Sequence, residues 1–265
     1  MSIHFLLIDP QNDFAHSKGQ LFVPHADKDM QRLAELLTQL QANIDAIHIS
    51  LDSHHLLDIS HPLFWQDAQG HAPAPFTTIS RKAVDCGTWA VRRNSDKNKA
   101  IDYVTFLEKN ARYQLTIWPP HCLLGTWGHN VVDSVALSIR AWEQQGQIAN
   151  YMFKGLNIWT EHYSIVQADV IDENDSHTQV NENLLQQLNQ ASTIFVAGEA
   201  LSHCVANSVY DLVQQCPELL KKLVLIEDCC SPVTGFENLG RQFIQDLSSK
   251  GLRLMDCATV QQRYC

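Results

Sequence analysis

Apolar runs alternate along the chain with segments whose apolar residues repeat at helical spacing. The apolar runs, which predict strands, are Ile3–Asp9, Ile44–Leu51, Gln114–Trp118, Asn150–Phe153, Thr193–Ala197, Leu223–Ile226 and Leu252–Met255. The segments that predict helices are Asp27–Gln41, with Asp27 as N-cap, Ala100–Lys109, Asn130–Gln145, Asn181–Gln190, Val205–Gln215 and Glu237–Ser249. Such alternation indicates parallel strands with helices on both faces. We therefore expect an α/β fold of three layers, α/β/α, around a central, mostly parallel six-stranded sheet.

The chain contains no internal repeat and no linker between two cores. Its 265 residues, 45% of them hydrophobic, are enough to bury a large core. One stretch of about residues 53–99 lacks periodicity, and its first half is punctuated by proline and glycine. Long stretches of this kind are usually functional or disordered. We expect residues 1–265 to form a single domain with an irregular insertion at about 62–117.

The charge and the cysteine content limit the classes of partner and the cellular compartment that we expect. The net charge of -10 and the pI near 5.6 argue against a nucleic-acid partner, which usually needs a basic face. No apolar run approaches the roughly 18 residues of a membrane span, and the first run has no basic flank. We expect a soluble, cytoplasmic protein without nucleic-acid or membrane partners. Its eight cysteines, none with C-x-x-C spacing, are then expected to be reduced.

Four strand ends carry residues that could perform chemistry. They are Asp9, Asp52, Lys154 and, after Gly198 and a short turn, Cys204. Ligands of open α/β sheets bind outside the carboxyl ends of the strands, so these residues are expected to share one edge. Cys204 itself has two readings. It is either a buried structural thiol or a nucleophile at a helix N-terminus, where the helix dipole lowers a thiol pKa.

A thiol nucleophile needs the other residue types found at this edge. Asp9 can accept the thiol proton and later deliver it to the leaving group. Lys154 can offset the negative charge on Asp9 and the thiolate. The backbone N–H groups of Ala200 and Cys204 can hold an oxyanion. The first strand–helix turn has no glycine-rich fingerprint, which argues against a flavin or dinucleotide binder.

Thirteen histidines make a metal worth considering, and one cluster has suitable spacing. Asp52-Ser-His54 places an acid and an imidazole on the same side of a strand end, although the adjacent His55 competes with His54. His121 follows a neighbouring predicted strand, and His61 lies downstream. Asp and His ligands suit Zn, Fe, Mn or Co. The alternative is a histidine-rich polar loop.

Five segments resemble the isochorismatase-like cysteine hydrolases, and within them the nicotinamidases. These segments, spread over nearly the whole chain, are Leu7–Phe14, Leu51–His54, Trp118–Gly128, Phe153–Ser164 and Ala197–Val205. The resemblance implies a triad of Cys204, Asp9 and Lys154. It also implies a metal on Asp52, His54 and His121, with His61 as a candidate fourth ligand. Zinc is the first expectation for that metal, with iron or manganese as alternatives.

The resemblance further implies an activity, which is hydrolysis of nicotinamide to nicotinate and ammonia through a Cys204 thioester, as in NAD salvage. The metal would bind the pyridine nitrogen, and the rings of Phe14, Trp118 and Tyr163 would sandwich the substrate, unless they are ordinary aromatic core. A cis peptide between Glu199 and Ala200 and a homo-oligomeric assembly are also implied.

The nucleophile segment departs from the usual nicotinamidase pattern. Leu201-Ser202 replaces Thr-Asp, Glu199 stands where an apolar residue is commoner, and His61 lies one residue further from His54 than usual. Two alternatives therefore accompany the nicotinamidase hypothesis. One is a metal-independent hydrolase of another small amide or carbamoyl compound, and the other is a non-catalytic ligand-binding module on the same scaffold.

Overall fold

The computed structural model describes residues 2–110 and 113–265, apart from the side chain of Asn110. The strands are β1 (Ile3–Ile8), β2 (Ala46–Asp52), β3 (Trp65–Gln66), β4 (Thr78–Ile79), β5 (Ala90–Val91), β6 (Leu115–Thr116), β7 (Asn150–Lys154), β8 (Thr193–Gly198), β9 (Leu223–Ile226) and β10 (Arg253–Met255). The α-helices are α1 (Asn12–Ala15), α2 (Ala26–Leu40), α3 (Arg81–Asp85), α4 (Lys97–Asn110), α5 (Asp133–Glu143), α6 (Glu182–Asn189), α7 (Ala206–Gln215), α8 (Glu237–Ser249) and α9 (Cys257–Tyr264).

Six parallel strands form the central sheet in the order β10-β9-β8-β1-β2-β7. The two middle strands, β1 and β8, are buried along their whole length, which is typical of a parallel sheet covered by helices on both faces. Amphipathic helices such as α2 turn their apolar side towards this sheet. The predicted three-layer α/β/α fold with six central strands is confirmed.

The register of the middle strands brings their carboxyl ends to one level. Ile8 pairs with Gly198, and Asp52 pairs with Lys154. Gly198 permits this approach because its φ is +123° and an added Cβ would lie 1.9 Å from the carbonyl oxygen of Ile8. Residues that follow these strands are therefore held within reach of one another.

The segment predicted as an irregular insertion has more order than its sequence suggests. It contains α3, α4 and the short antiparallel pairs β3–β5 and β4–β6. Its buried apolar residues form a cluster distinct from the main core: Ile59, Phe64, Trp65, Ile79, Ala100, Tyr103, Val104, Leu107, Leu115 and Ile117. The strand predicted at Gln114–Trp118 belongs here, since β6 pairs with β4 and not with the central sheet.

Two details at helix ends differ from the sequence expectation. Helix α2 starts at Ala26, and its N-cap residue is His25 with no side-chain cap, whereas Asp27 was expected to cap it. Helix α9, after the last strand, was not anticipated because its eight residues carry little apolar periodicity. Among the described residues, none of the helices is long and apolar enough to cross a membrane.

Candidate active site

The structure brings together the three residues that the sequence analysis assigned to a triad. Asp9 follows β1, Lys154 ends β7, and Cys204 lies in the turn after β8. All three side chains are buried, with 0%, 1% and 5% of the respective residues exposed. At the edge of the sheet predicted to hold the reactive residues, these polar side chains are therefore shielded from solvent and surrounded by the apolar core.

Lys154 is the hub of this centre. Its Nζ lies 2.9 Å from Asp9 Oδ2, 2.9 Å from Asp52 Oδ1 and 3.5 Å from Cys204 Sγ. Burial alone would lower the pKa of the Lys154 ammonium, but the Asp52 and Asp9 carboxylates raise it well above its usual range. The side chain is thus held positively charged between two acids and the thiol.

Burial sets the protonation of the other two members. It raises the pKa of the Asp9 carboxyl, which the positive charge of Lys154 opposes. It also raises the pKa of the Cys204 thiol well above its usual range, against the opposing effect of Lys154. Burial and the two neighbouring carboxylates therefore oppose the lowering of the Cys204 pKa that a helix N-terminus would favour. The thiol needs a base, and a carboxylate of raised pKa is suited to that role.

The turn that carries Cys204, the candidate nucleophile, is hydrogen-bonded to the neighbouring segment. Cys204 lies in a five-residue π-helical turn, Leu201–Val205, that precedes α7. The N–H of Leu201 donates to Ser231 O at 2.8 Å, and the N–H of Ser231 donates to Glu199 Oε2 at 3.1 Å. The Glu199–Ala200 peptide is cis, as the resemblance implies. Ala200, proposed to supply an oxyanion N–H, therefore lies between two anchored residues.

Three imidazoles and a carboxylate converge next to the triad. Asp52 Oδ2 lies 3.0 Å from His54 Nε2 and 3.2 Å from His121 Nε2. One ring nitrogen from each of His54, His61 and His121 lies within 4.8 Å of the others, and all three residues are buried. Of the two competing histidines, His54 enters this cluster while His55 is exposed. All four predicted metal-ligating residues are thus in one place.

Contacts behind the rings orient these histidines. Nδ1 of His54 pairs with Asp58 Oδ2 at 3.0 Å, Nδ1 of His61 with the carbonyl of His55 at 3.2 Å, and Nδ1 of His121 with the carbonyl of Pro119 at 2.9 Å. The two carbonyl contacts place the hydrogen of His61 and His121 on Nδ1 and leave Nε2 of both rings as an acceptor.

The environment of the His61 ring indicates whether this cluster suits a metal ion. Its Nε2 is buried and has no hydrogen-bond partner among the described residues. Burial, and then the positive charge of His54, lowers the pKa of His61 to about 3, so its ring is neutral and its Nε2 lone pair is free. A neutral imidazole directed at two others and a carboxylate is a donor set for a divalent transition metal.

Two further acids in this region were not found from the sequence. Asp58 is fully buried and also accepts from Ser60 N at 2.9 Å. Glu161 Oε1 lies 3.9 Å from His54 Nε2, and Glu161 can join Asp52 and His54 around an ion. Glu161 belongs to the segment Phe153–Ser164, yet no sequence pattern indicates that it faces the cluster, because it reaches the site from a loop.

The aromatic residues predicted to contact substrate divide into two groups. Trp118 Nε1 donates to Tyr163 OH at 2.8 Å, and His203 stacks edge-on against both rings, with centroids 5.1 and 5.2 Å away. Phe14 lies instead against the ring of His121, with centroids 5.3 Å apart. A cavity of about 240 Å³ reaches this group at His203, and Tyr113 and Ser202 also line it. No sequence pattern indicated His203, which directly precedes Cys204 and contacts both Trp118 and Tyr163.

Comparison with solved structures shows the fold, which is that of the isochorismatase-like cysteine hydrolases. No protein-family model matches the chain. The particular proteins it resembles are nicotinamidases and pyrazinamidases, which confirms the resemblance inferred from the motifs. The nicotinamidase of Saccharomyces cerevisiae is 21% identical over 251 residues, covering 95% of this chain and 98% of the yeast protein.

The structural similarity extends over almost the whole chain. Yeast nicotinamidase bound to the inhibitor nicotinaldehyde matches with a TM-score of 0.66 and 17% identity, covering 96% of this chain and 99% of that one. A nicotinamidase/pyrazinamidase from Acinetobacter baumannii matches with a TM-score of 0.64 and 20% identity over 98% of each chain. Pyrococcus horikoshii pyrazinamidase in complex with zinc matches with a TM-score of 0.56 and 15% identity, covering 97% of this chain and 99% of that one.

Proposed function

We propose that this protein is a metal-assisted cysteine amidohydrolase that converts nicotinamide to nicotinate and ammonia. The observation that carries the proposal is the position of Lys154, which contacts Asp9, Asp52 and Cys204 at once. One ammonium group thereby joins a nucleophile and its base to the cluster of metal-ligating side chains. The similarity to nicotinamidases along the whole chain supports the choice of substrate.

The triad performs the proposed reaction in two halves. Asp9 takes the proton of the Cys204 thiol, and the sulfur attacks the carboxamide carbon while Lys154 balances the charge. The N–H groups of Ala200 and Cys204 hold the oxyanion. Asp9 returns its proton to the departing nitrogen, the C–N bond breaks, ammonia leaves, and the acyl group remains on Cys204 as a thioester. Asp9 then deprotonates a water molecule that attacks the thioester, releasing nicotinate and restoring the thiol.

The ligand cluster orients the substrate in this proposal. Asp52, His54 and His121, with His61 as fourth member, would hold a divalent transition metal, zinc before iron or manganese. Such an ion would supply a Lewis-acid site for the pyridine nitrogen. Trp118, Tyr163 and Phe14 are the proposed walls for the ring. The hydrogen bond between Trp118 and Tyr163 keeps the first two in fixed orientation.

Ammonia release from nicotinamide by the purified chain tests the proposal, with metal content measured on the same sample. We expect turnover in the native chain and its loss in Cys204→Ala, while the matched variant Cys86→Ser, at an exposed thiol, keeps full activity. Chelation should abolish turnover, and readdition of zinc should restore it.

Other results would favour the two alternatives. If the purified protein contains no metal and chelation does not change its turnover, the assignment to nicotinamide is wrong. A metal-independent hydrolase of another amide is then favoured. Thermal stabilisation by nicotinamide without any ammonia release would favour a ligand-binding module. Activity that survives Cys204→Ala would eliminate the thioester mechanism. Three expectations stay predictions: a homo-oligomeric state, a cytoplasmic location, and the absence of nucleic-acid and membrane partners.

A further inference from the structure

A pair of thiols lies outside the candidate active site, where β9 and β10 end. Cys229 Sγ lies 3.2 Å from Cys257 Sγ. Cys229 is completely buried, whereas Cys257 is half-buried. Neither residue belongs to the triad, the metal-ligating cluster or the aromatic group.

The fold itself holds these cysteines together. Met255 on β10 pairs with Ile226 on β9, so the segments that leave the two strands start side by side. The N–H of Cys257 then donates to Asp228 Oδ1 at 2.9 Å, which fixes the start of α9 against the residue before Cys229. The close approach of the sulfurs follows from strand register and from one hydrogen bond between a backbone N–H and a side-chain carboxylate.

Two uses of such a pair can be distinguished by distance and charge. In a tetrahedral zinc site with Zn–S bonds of about 2.3 Å, two thiolates lie about 3.8 Å apart. The sulfurs of Cys229 and Cys257 are closer than that. The third candidate ligand, Asp228, faces the guanidinium of Arg32, whose Nε lies 3.9 Å from Oδ2. That cation opposes a metal ion and leaves thiol chemistry as the better use.

The unequal exposure of the thiols gives them different roles. Cys257, at the first position of α9, is only half-buried and can be reached by a small reagent. Cys229, within 3.2 Å but shielded from solvent, can then attack only the sulfur of Cys257. This is the arrangement of an attacking and a resolving cysteine.

We propose that Cys229 and Cys257 are a redox-modification site that closes reversibly to a disulfide in the presence of a low-molecular-weight disulfide such as oxidised glutathione. The Cys257 thiolate attacks oxidised glutathione, forming a mixed disulfide and releasing one glutathione thiolate. The Cys229 thiolate attacks the Cys257 sulfur and releases the second. Two protein thiols are oxidised to one disulfide, one glutathione disulfide is reduced, and the two protons lost by the protein thiols convert the released thiolates to two glutathione molecules.

The disulfide would fasten α9 to the end of β9 without using Cys204. It closes a loop between residues 28 positions apart, which removes conformational freedom from the unfolded chain. We therefore expect the oxidised protein to melt about 5 °C higher than the reduced protein. The thiol of Cys204 stays free.

Equilibration of the full-length chain in glutathione redox buffers, followed by alkylation, digestion without reduction and mass spectrometry, tests the proposal. We expect a peptide pair joined through Cys229 and Cys257 in the native chain and in Cys230→Ser. It should be absent in Cys257→Ser, which also removes the gain in melting temperature. Cys229 is fully buried, so the corresponding variant Cys229→Ser could fail to fold. Cys257 is only half-buried, so Cys257→Ser remains a usable test in that case.

The exposed thiols Cys86 and Cys265 report that the oxidant was active. Glutathione on those two while Cys229 and Cys257 remain alkylated would overturn the proposal, as would a link from either one to Cys230. A zinc ion that is present in the native chain and lost in Cys257→Ser, without any crosslink, would show that the pair binds metal instead.

Discussion

The Lys154 ammonium lies 2.9 Å from the carboxylate of Asp52, its partner in the β2–β7 register. The same ammonium lies 2.9 Å from Asp9, so one cation neutralises two buried acids that belong to different parts of the site. The proposed catalytic and metal-ligating groups therefore depend on the same positive charge. Changing Lys154 is expected to disturb both.

The variant Lys154→Met should lose ammonia release and also much of its stability. Removing one partner of a buried ion pair leaves uncompensated charge and costs about 3–5 kcal/mol. Urea denaturation measures the loss, and the double variant Lys154→Met/Asp9→Asn, which removes one of the two acids, should recover part of it without regaining activity. An unchanged unfolding free energy in Lys154→Met would contradict this account of the centre.

His61 should contribute to metal affinity, whereas its neighbour His55 should not. His61 directs an unpartnered Nε2 into the cluster, and His55 is exposed. We expect His61→Ala to weaken zinc binding at least tenfold in a competition with a chelating dye, because one of the four donors is removed. His55→Ala is the matched control, with affinity expected to remain that of the native chain. Equal affinities in the two variants would remove His61 from the ligand set.

Glu199 should be protonated in the folded chain, where it supports the turn that carries Cys204. Burial and the charge of Asp29 raise the pKa of Glu199 well above its usual range. An acid whose pKa is raised by folding contributes stability below its unfolded value, near 4.5, and loses it as pH rises towards the folded value.

Glu199→Gln, which cannot ionise but still accepts from Ser231 N, should therefore be less sensitive to rising pH than the native chain. Glu199→Leu leaves that N–H unsatisfied and should lose about 1–3 kcal/mol at all pH values. Urea denaturation between pH 5 and pH 9 distinguishes the variants. Identical slopes in the native chain and Glu199→Gln would refute the protonated state.

A histidine pair at the opposite end of the strands should make the fold sensitive to acid. His48 Nε2 lies 3.2 Å from His4 Nδ1, and burial followed by the charge of His4 lowers the pKa of His48 to about 4. Burial also lowers the pKa of His4, against the opposing charge of Asp45. Asn150 Nδ2 faces the other nitrogen of His48 at 3.3 Å.

Because the unfolded chain protonates His48 near 6.5 and the folded chain only near 4, stability should fall as pH drops from 6.5 to 4. The difference corresponds to about 3 kcal/mol for His48. His48→Gln should reduce this loss, measured by urea denaturation at several pH values. His71→Gln, at a side chain 79% exposed, should leave it unchanged. A loss equal in all three proteins would place the acid sensitivity elsewhere.

The sequence alone determined the layers of the fold and the residue types of the site. Periodicity located the strands and helices of the main core, because each must bury one side or both, and that requirement is local. Polar residues at strand ends pointed to Asp9, Asp52, Lys154 and Cys204, since parallel strands present their carboxyl ends at one edge. Their convergence was therefore foreseeable before any distance was known.

Only the tertiary structure decided how these residues act on one another. That Lys154 lies between two acids, that burial raises the Cys204 pKa and that Glu161 reaches His54 all depend on distances across loops, which no spacing encodes. The same holds for Cys229 and Cys257, which adjacent strands bring together although they are 28 positions apart. Electrostatic effects depend on separation and burial in space, and both exist only once the chain has folded.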